Sequence, residues 1–315
     1  MWMVGAAVLT SCSKDDNDPS VHPDKLVSPA LEFANVASNN PFTGALEVTP
    51  CQANGSIYFG NYTMNGQLTP RYAFYTIGQG EIAVDVAPVR LPVGKYNFVY
   101  WGVPVNNPAD STYSPVMVNE PSFVIGTDMS LQSYGLRKYS SPDTTYSPVY
   151  DYVHAVQSLH VGTDKMAATL QRVTAGLKVT LTGKNGNPID GSVKGIRVLV
   201  GGIASELNFF TGDPSDMTKT VSFPLTKSAD NKVMGTYSTV MLFPSVPNPQ
   251  VTLVVTLNNG DEKIYRQNLT NTLSAGRRLT LNATIGEIFI EESSTNGFEV
   301  TNWTEGTESI DFEGN

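Results

Sequence analysis

Apolar and polar residues alternate in short bursts along most of this chain, and no apolar stripe recurs at helical spacing for more than two turns. Leu46 and Val48, then Ile57 and Phe59, predict two strands separated by Gln52-Ala53-Asn54-Gly55. Tyr72, Phe74 and Thr76 alternate with Ala73, Tyr75 and Ile77, and Ile82, Val84 and Val86 alternate with acidic or small residues. The strongest strand signal of this half is Lys95-Tyr96-Asn97-Phe98-Val99-Tyr100-Trp101, which is aromatic and β-branched and follows a turn at Pro92-Val93-Gly94. A further strand is predicted over 122–125. In the second half, alternation is clear from Leu177 to Leu181, and Asn185-Gly186 supplies a turn. Strands are predicted over 196–200, 205–210, 219–225, 236–243, 251–257, 262–269, 277–285 and 287–291. Asn258-Asn259-Gly260-Asp261 reads as a hairpin turn, because Asn and Gly tolerate positive φ. Strand runs spaced by ~8–12 residues predict an all-β protein built from sandwiches rather than βαβ units.

Composition fits that picture. Twenty prolines and 27 glycines are scattered and cut the chain into short pieces. The 315 residues suffice for two domains, each with its own core. A change of pattern near residue 160 divides the body into 31–160 and 161–315. Charged residues make up 16%, against about 25% in average usage, and the net charge of −9 argues against nucleic-acid binding, which wants a basic face. After Arg278 no Lys or Arg occurs, while Phe298, Val300 and Trp303 keep an apolar signature within that acidic stretch.

The amino terminus follows different rules. Met1 to Leu9 is apolar but has only about half of the ~20 residues a membrane-spanning helix needs. Leu9-Thr10-Ser11-Cys12 after it resembles the lipobox of bacterial lipoproteins, in which the lead peptide (here 1–12) is removed and the cysteine becomes the lipidated first residue. The run Ser13-Lys14-Asp15-Asp16-Asn17-Asp18 resembles the surface-export signal of Bacteroidetes lipoproteins. The expected lipidation residue is therefore Cys12, and the expected location is the outer membrane, at the cell surface. The run lacks a Lys/Arg n-region, which leaves room for a start upstream of Met1. Residues 13–30 are polar, contain Pro19, Pro23 and Pro29, and read as a flexible tether. Cys51, the second cysteine, is either inert packing or a reactive thiol.

Candidate chemistry is sparse. His154 and His160 lie six apart in a predicted strand and could share a face, but a metal site needs three or four converging ligands, and the histidines read equally as surface or satisfied residues. No Gly-x-Ser-x-Gly elbow or phosphate-cradling loop occurs, and no catalytic residue, cofactor or metal is expected. Tyr134, Tyr139, Tyr146, Tyr150 and Tyr152 could form an aromatic platform for sugars, or simply fill strands and turns. Asp110-Ser111-Thr112 and Asp143-Thr144-Thr145 resemble short O-glycosylation sites of Bacteroidetes, though surface turns favour the same residues. Arg172 reads either as a protease site or as a strand residue with an exposed head. Trp101 and Trp303 read as core anchors.

Three segments together resemble the fimbrillin superfamily, the Bacteroidetes (type V) pilus proteins and their anchors. They are Leu91-Pro92-Val93-Gly94-Lys95-Tyr96-Asn97-Phe98-Val99-Tyr100-Trp101, Leu170-Gln171-Arg172-Val173-Thr174-Ala175-Gly176-Leu177-Lys178-Val179 and Phe298-Glu299-Val300-Thr301-Asn302-Trp303. The resemblance implies two tandem transthyretin-like β-sandwich domains, cell-surface display, and fimbrial partners joined by β-strand exchange. Pilins of that superfamily lose their first strand, often by a cut after Arg. Here Lys14 and Lys25 are the only basic residues between Cys12 and Arg71, which favours a lipid-anchored base or minor subunit over a stalk or tip subunit. The alternative is a surface lipoprotein that binds glycans or host proteins.

Overall fold

The computed structural model describes residues 22–32, 42–105, 117–139, 144–183, 187–228, 233–236, 239–284 and 304–308. The chain is all-β. Among the described residues the helical pieces are single 3₁₀ turns, at Pro23–Lys25 and Met129–Leu131.

The first sheet has six strands, in the order Gln171–Arg172, Val153–Val161, Gly94–Pro104, Gly44–Gln52, Ala73–Gly78 and Glu81–Ala87. Every neighbouring pair is antiparallel. At its centre, Gly94–Pro104 is buried on both faces, which is why its sequence is a nearly unbroken apolar and aromatic run. Tyr96, Phe98 and Tyr100 enter one core, with Leu46, Val48, Tyr75, Ile77 and Val161. Val99 and Trp101 enter the other, alongside residues from the second half of the chain.

That second half forms a sandwich. One leaf runs Glu262–Asn268, Gln250–Leu257, Val193–Ile203 and Lys219–Lys227, antiparallel throughout. The other runs Val233–Gly235, Ala175–Thr182, Arg277–Thr284 and Thr304–Glu308, with Val240–Leu242 also paired to Ala175–Thr182. The leaves join where Thr226 and Lys227 pair with Gly235 and Met234. Leu177, Val179, Leu181, Leu279 and Leu281 from one leaf and Val198, Val200, Phe223, Leu253 and Val255 from the other share one core, as the alternation in the sequence requires. Arg277–Thr284 pairs in parallel on both sides, with Ala175–Thr182 and with Thr304–Glu308.

The halves are also hydrogen-bonded to each other. Val118–Asn119 and Ser133–Leu136 from the first half pair with Glu206–Asn208 and Pro214–Ser215 from the second, in one four-stranded antiparallel sheet.

Most of the expected strands are found, including the hairpin at 257–261, where Leu257 N–H donates to Asp261 O and Gly260 has φ +91°. Two expectations need correction. The strand expected over 122–125 is absent: Thr127 N–H donates to Val124 O in a tight turn, Gly126 has φ +88°, and Phe123 packs edge-on against Tyr58. The tether expected over 13–30 is shorter at its body end. Leu26–Val27 pairs with Leu91–Pro92, Met166 N–H donates to Ala30 O, and Glu32 N–H donates to Met166 O. Apolar Leu26, Val27 and Leu31 pack on the first core, which draws that segment in. The turn at Asn185-Gly186 and the strand over 287–291 lie outside the described residues.

Gly44 opens the strand Gly44–Gln52 of the first sheet with φ +154°, and a Cβ there would collide with the carbonyl oxygen of Val103 on the paired strand. Gly44→Ala is expected to lower stability by about 1–3 kcal/mol through backbone strain, read as a reduced midpoint in urea denaturation.

Candidate functional site

The features that a structural subunit can use are the junction between its halves, the crossing of the chain between them, and the edges of its sheets. The junction is aromatic. Trp101, projecting from the first sheet, donates its indole N–H to Phe209 O at 2.8 Å. Its ring lies 5.8 Å from Phe209, stacked, 4.7 Å from Tyr134 and 5.6 Å from Tyr152. Tyr134 and Tyr152 stack at 4.9 Å, and Phe123 meets Phe209 edge-on. Such contacts add to area burial and fix ring orientation. They weld first-half residues to the loop after Glu206–Asn208.

Glu47 is the charged group of this junction. It lies opposite Trp101 in the sheet register and accepts a hydrogen bond from Tyr134 Oη at 3.1 Å. Burial pushes its carboxyl up to about 7; bonds from Tyr134 and Tyr72 oppose the shift, and the charge of Glu120 adds to it. His154, opposite Trp101 on the other side, has its ring 4.8 Å from the indole. Burial drives it down to about 4, only partly offset by backbone hydrogen bonds at Phe210 and Phe209, and its Nε2 has no partner among the described atoms.

The crossing is short. Gln171–Arg172 belongs to the first sheet and Ala175–Thr182 to the sandwich, so the chain changes body across Val173-Thr174 alone. Arg172 Nε donates to both carboxylate oxygens of Asp151 at 3.1 Å, and Thr174 Oγ1 donates to Asp151 Oδ1 at 3.2 Å. Arg172 and Asp151 are both buried, so each charge depends on the other. Arg172 is thus a strand residue, as one reading had it, but its head is buried rather than exposed.

The three longest strands at sheet margins are Glu81–Ala87 and Glu262–Asn268, which close the first sheet and the antiparallel leaf, and Thr304–Glu308, which closes the other leaf. Glu262–Asn268 carries Glu262, Lys263 and Arg266 on an exposed strand, a charge pattern that discourages further pairing.

Of the residues singled out from sequence, Cys12, Trp303 and Asp110-Ser111-Thr112 lie outside the described residues. Cys51 is a free buried thiol, raised to about 12 by burial and then by Asp128, which suits inert packing. His160 lies near the end of the strand Val153–Val161, and its N–H donates to Asp164 Oδ2 in the turn that follows, at 2.7 Å. It shares a sheet face with His154 but not its buried surroundings. Among the described residues no three His, Cys, Asp or Glu side chains converge on one point. Tyr134 and Tyr152 are buried in the junction, Tyr139 donates to Ser222 O, and Tyr150 is exposed, so the five tyrosines make no common platform. Thr144 is exposed, while Thr145 is buried against Ser222 at 2.7 Å. Glu47 and Asp151 were missed as site residues. Neither was signalled in the sequence: Glu47 sits on the phase opposite buried Leu46 and Val48, where a carboxylate is ordinary, and nothing pointed to Asp151.

Two predictions follow from this geometry. Glu47 has its folded-state pKa raised from 4.5 to about 7, so the folded protein holds a proton that the unfolded chain releases. Its contribution to stability is complete below about pH 4.5, falls as pH rises towards 7, and is level above that. The fall is at most about 3 kcal/mol. Urea titrations at a series of pH values should show this slope, and Glu47→Gln should flatten it. Arg172→Ala, which strands the Asp151 carboxylate, should cost about 3–5 kcal/mol in the same measurement, and joint replacement of Arg172 and Asp151 by apolar residues should cost much less.

Among solved structures, the chain is similar to the fimbrial anchor protein Mfa2 from Porphyromonas gingivalis, at 13% identity over 91% of this chain and 95% of that one, with a TM-score of 0.48. It is also similar to a candidate adhesin from Bacteroides ovatus (12% identity, 83% of this chain, 88% of that one, TM-score 0.47) and a candidate cell adhesion protein from Bacteroides uniformis (16%, 83%, 93%, TM-score 0.45). No curated protein sequence matches it. A family model, that of the fimbrillin-A associated anchor proteins Mfa1 and Mfa2, matches residues 27–309. That match spans all but the ends of the chain, which therefore belongs to the Mfa1/Mfa2 anchor family and is a fimbrial subunit of the cell surface.

Proposed function

We propose that this subunit is the lipid-anchored base or a minor component of its fimbria, held in the outer membrane through Cys12 and joined to its neighbours by β-strand exchange. Membership of the anchor family carries the reading, together with Leu9-Thr10-Ser11-Cys12 ahead of an acidic run. Retention of the amino-terminal segment fits it as well. Lys14 and Lys25 are the only basic residues from Cys12 to Arg71, and Leu26–Val27 is paired with Leu91–Pro92.

Strand exchange draws on the edges. An edge strand offers a row of unpaired N–H and C=O groups, and an incoming strand supplies both hydrogen bonds and alternate side chains. Thr304–Glu308 adds in parallel to Arg277–Thr284, and it is the last described strand of the chain. A carboxy-terminal strand laid on a sheet margin is a segment that one subunit could lend to another. We place the functional division of the body at Val173-Thr174, later than the change of pattern near residue 160, with the amino-terminal half towards the membrane. The glycan-binding alternative has less support, because two of the five tyrosines that suggested it, Tyr134 and Tyr152, are buried in the junction.

Cells grown with a labelled fatty acid should label the native chain but not Cys12→Ala, and purified fimbriae should contain the acylated subunit. Label that persists in Cys12→Ala, or fimbriae whose subunit begins beyond residue 40, would overturn the anchoring role.

A further inference from the structure

The exposed apolar side chains are distributed unevenly. Among the described residues, Ile264 is the only large exposed one beyond residue 160. Several of the others share one end of the first sheet. The register puts Gln52, Tyr96 and Leu159 at that end, with Gly94 and Val161 at its rim. Val93 directly precedes Gly94 and is exposed, in contact distance of Gly162. The turn carrying Val124 and Ile125 is tied to Tyr58, which bridges Cys51, and Ile125 reaches Gly60. Leu131 is 79% exposed, in a 3₁₀ turn whose Met129 N–H donates to Ser56 O.

The amino-terminal segment docks at the same end, since Leu26–Val27 pairs with Leu91–Pro92 just before Val93. Nine residues separate Cys12 from His22, where the described chain begins, and the ten steps from one to the other span at most about 35 Å. Singly exposed apolar side chains are ordinary on protein surfaces. These differ in sharing one end of one sheet with the point at which the chain arrives from the lipidated cysteine.

We propose that this end of the first sheet rests on the outer leaflet of the membrane, with Val93, Val124, Ile125 and Leu131 as its apolar contacts. The inference rests on lipidation at Cys12 and extends it. A single acyl anchor does not by itself fix the tilt of the body, and a second contact does. The occupant is a lipid surface rather than an anionic polymer, because the chain carries a net charge of −9 and the tips are apolar. The contact would accordingly form on uncharged phosphatidylcholine and would not need acidic lipids.

The test uses the acylated full chain reconstituted in phosphatidylcholine vesicles. Leu131→Cys and Val124→Cys are labelled with a nitrobenzoxadiazole dye, which spares the buried Cys51, and Ile264→Cys serves as the distant control. Blue-shifted emission and quenching by spin-labelled lipid are expected at positions 131 and 124 but not at 264. Protein that floats with the vesicles yet shows no quenching at 131 and 124 would overturn the contact and leave the anchor intact. Protein that neither floats nor carries an acyl group would remove the anchoring reading, and this inference with it. A blue shift that appears without lipid and grows with protein concentration would assign the tips to a second copy of the chain and overturn the proposal.

Discussion

The double burial of Gly94–Pro104 is the constraint on which the rest of the architecture depends. A strand with solvent on one face can alternate apolar with polar residues. This one cannot, because Tyr96, Phe98 and Tyr100 fill one core while Val99 and Trp101 fill another. The first sheet is therefore a wall with a room on each side. One room is closed by its own loops and by the docked amino-terminal segment. The other is closed by the second half of the chain, so the halves cannot part without exposing Trp101 and the rings around it to water. That coupling is reinforced by backbone hydrogen bonds, since the four-stranded sheet takes two strands from each half.

Polar groups inside this junction are few and each has a different standing. Arg172 and Asp151 satisfy each other through two 3.1 Å bonds, and such a pair adds little net stability over an apolar replacement while making the geometry of the crossing hard to change. Glu47 has no cation facing it. The groups around it are Tyr134, Tyr72 and Tyr152, with Glu120 as the one other charge, and so its proton is the cheapest way to keep the site neutral. His154 solves the same problem from the other direction, by staying uncharged. Of Glu47 and His154, it is Glu47 that changes state around pH 7.

The strands of the second sandwich were legible because Leu177 to Leu181 and the runs that follow alternate over long enough stretches to state their period. The aromatic run at 95–101 was legible for the opposite reason, as a strand with no polar phase at all. The shared sheet was not legible. Glu206–Asn208 falls within a predicted strand, but Ser133–Leu136 is four residues, too short to declare a period, and the pairing of the two joins residues some seventy positions apart. The turn at 124–127 misled because Phe123, Val124 and Ile125 have strand composition; only the positive φ of Gly126, a property of backbone rather than of pattern, separates the two outcomes. The buried state of Arg172 was hidden likewise, because its partner Asp151 lies in a stretch with no distinguishing pattern.

In the proposed anchoring role, tension enters at the amino-terminal segment and leaves at a partner strand. It must pass through the first sheet, across Val173-Thr174, and into Ala175–Thr182, which is bonded along its length to Arg277–Thr284 and through that strand to Thr304–Glu308. The two residues of the crossing, bonded through Val173 N–H to Tyr152 O and through Thr174 O to Gly276 N–H, would be the weakest link in that path if they carried it alone. They do not: the shared sheet and the Trp101 cluster bridge the same gap in parallel, and the Asp151–Arg172–Thr174 bonds hold the crossing itself. Resistance to pulling is set by the rate of unfolding rather than by equilibrium stability. A junction whose parallel connections must all give way together is the arrangement that slows that rate, and it accounts for the placement of buried charge and paired backbone at the one place where a two-body chain would otherwise bend.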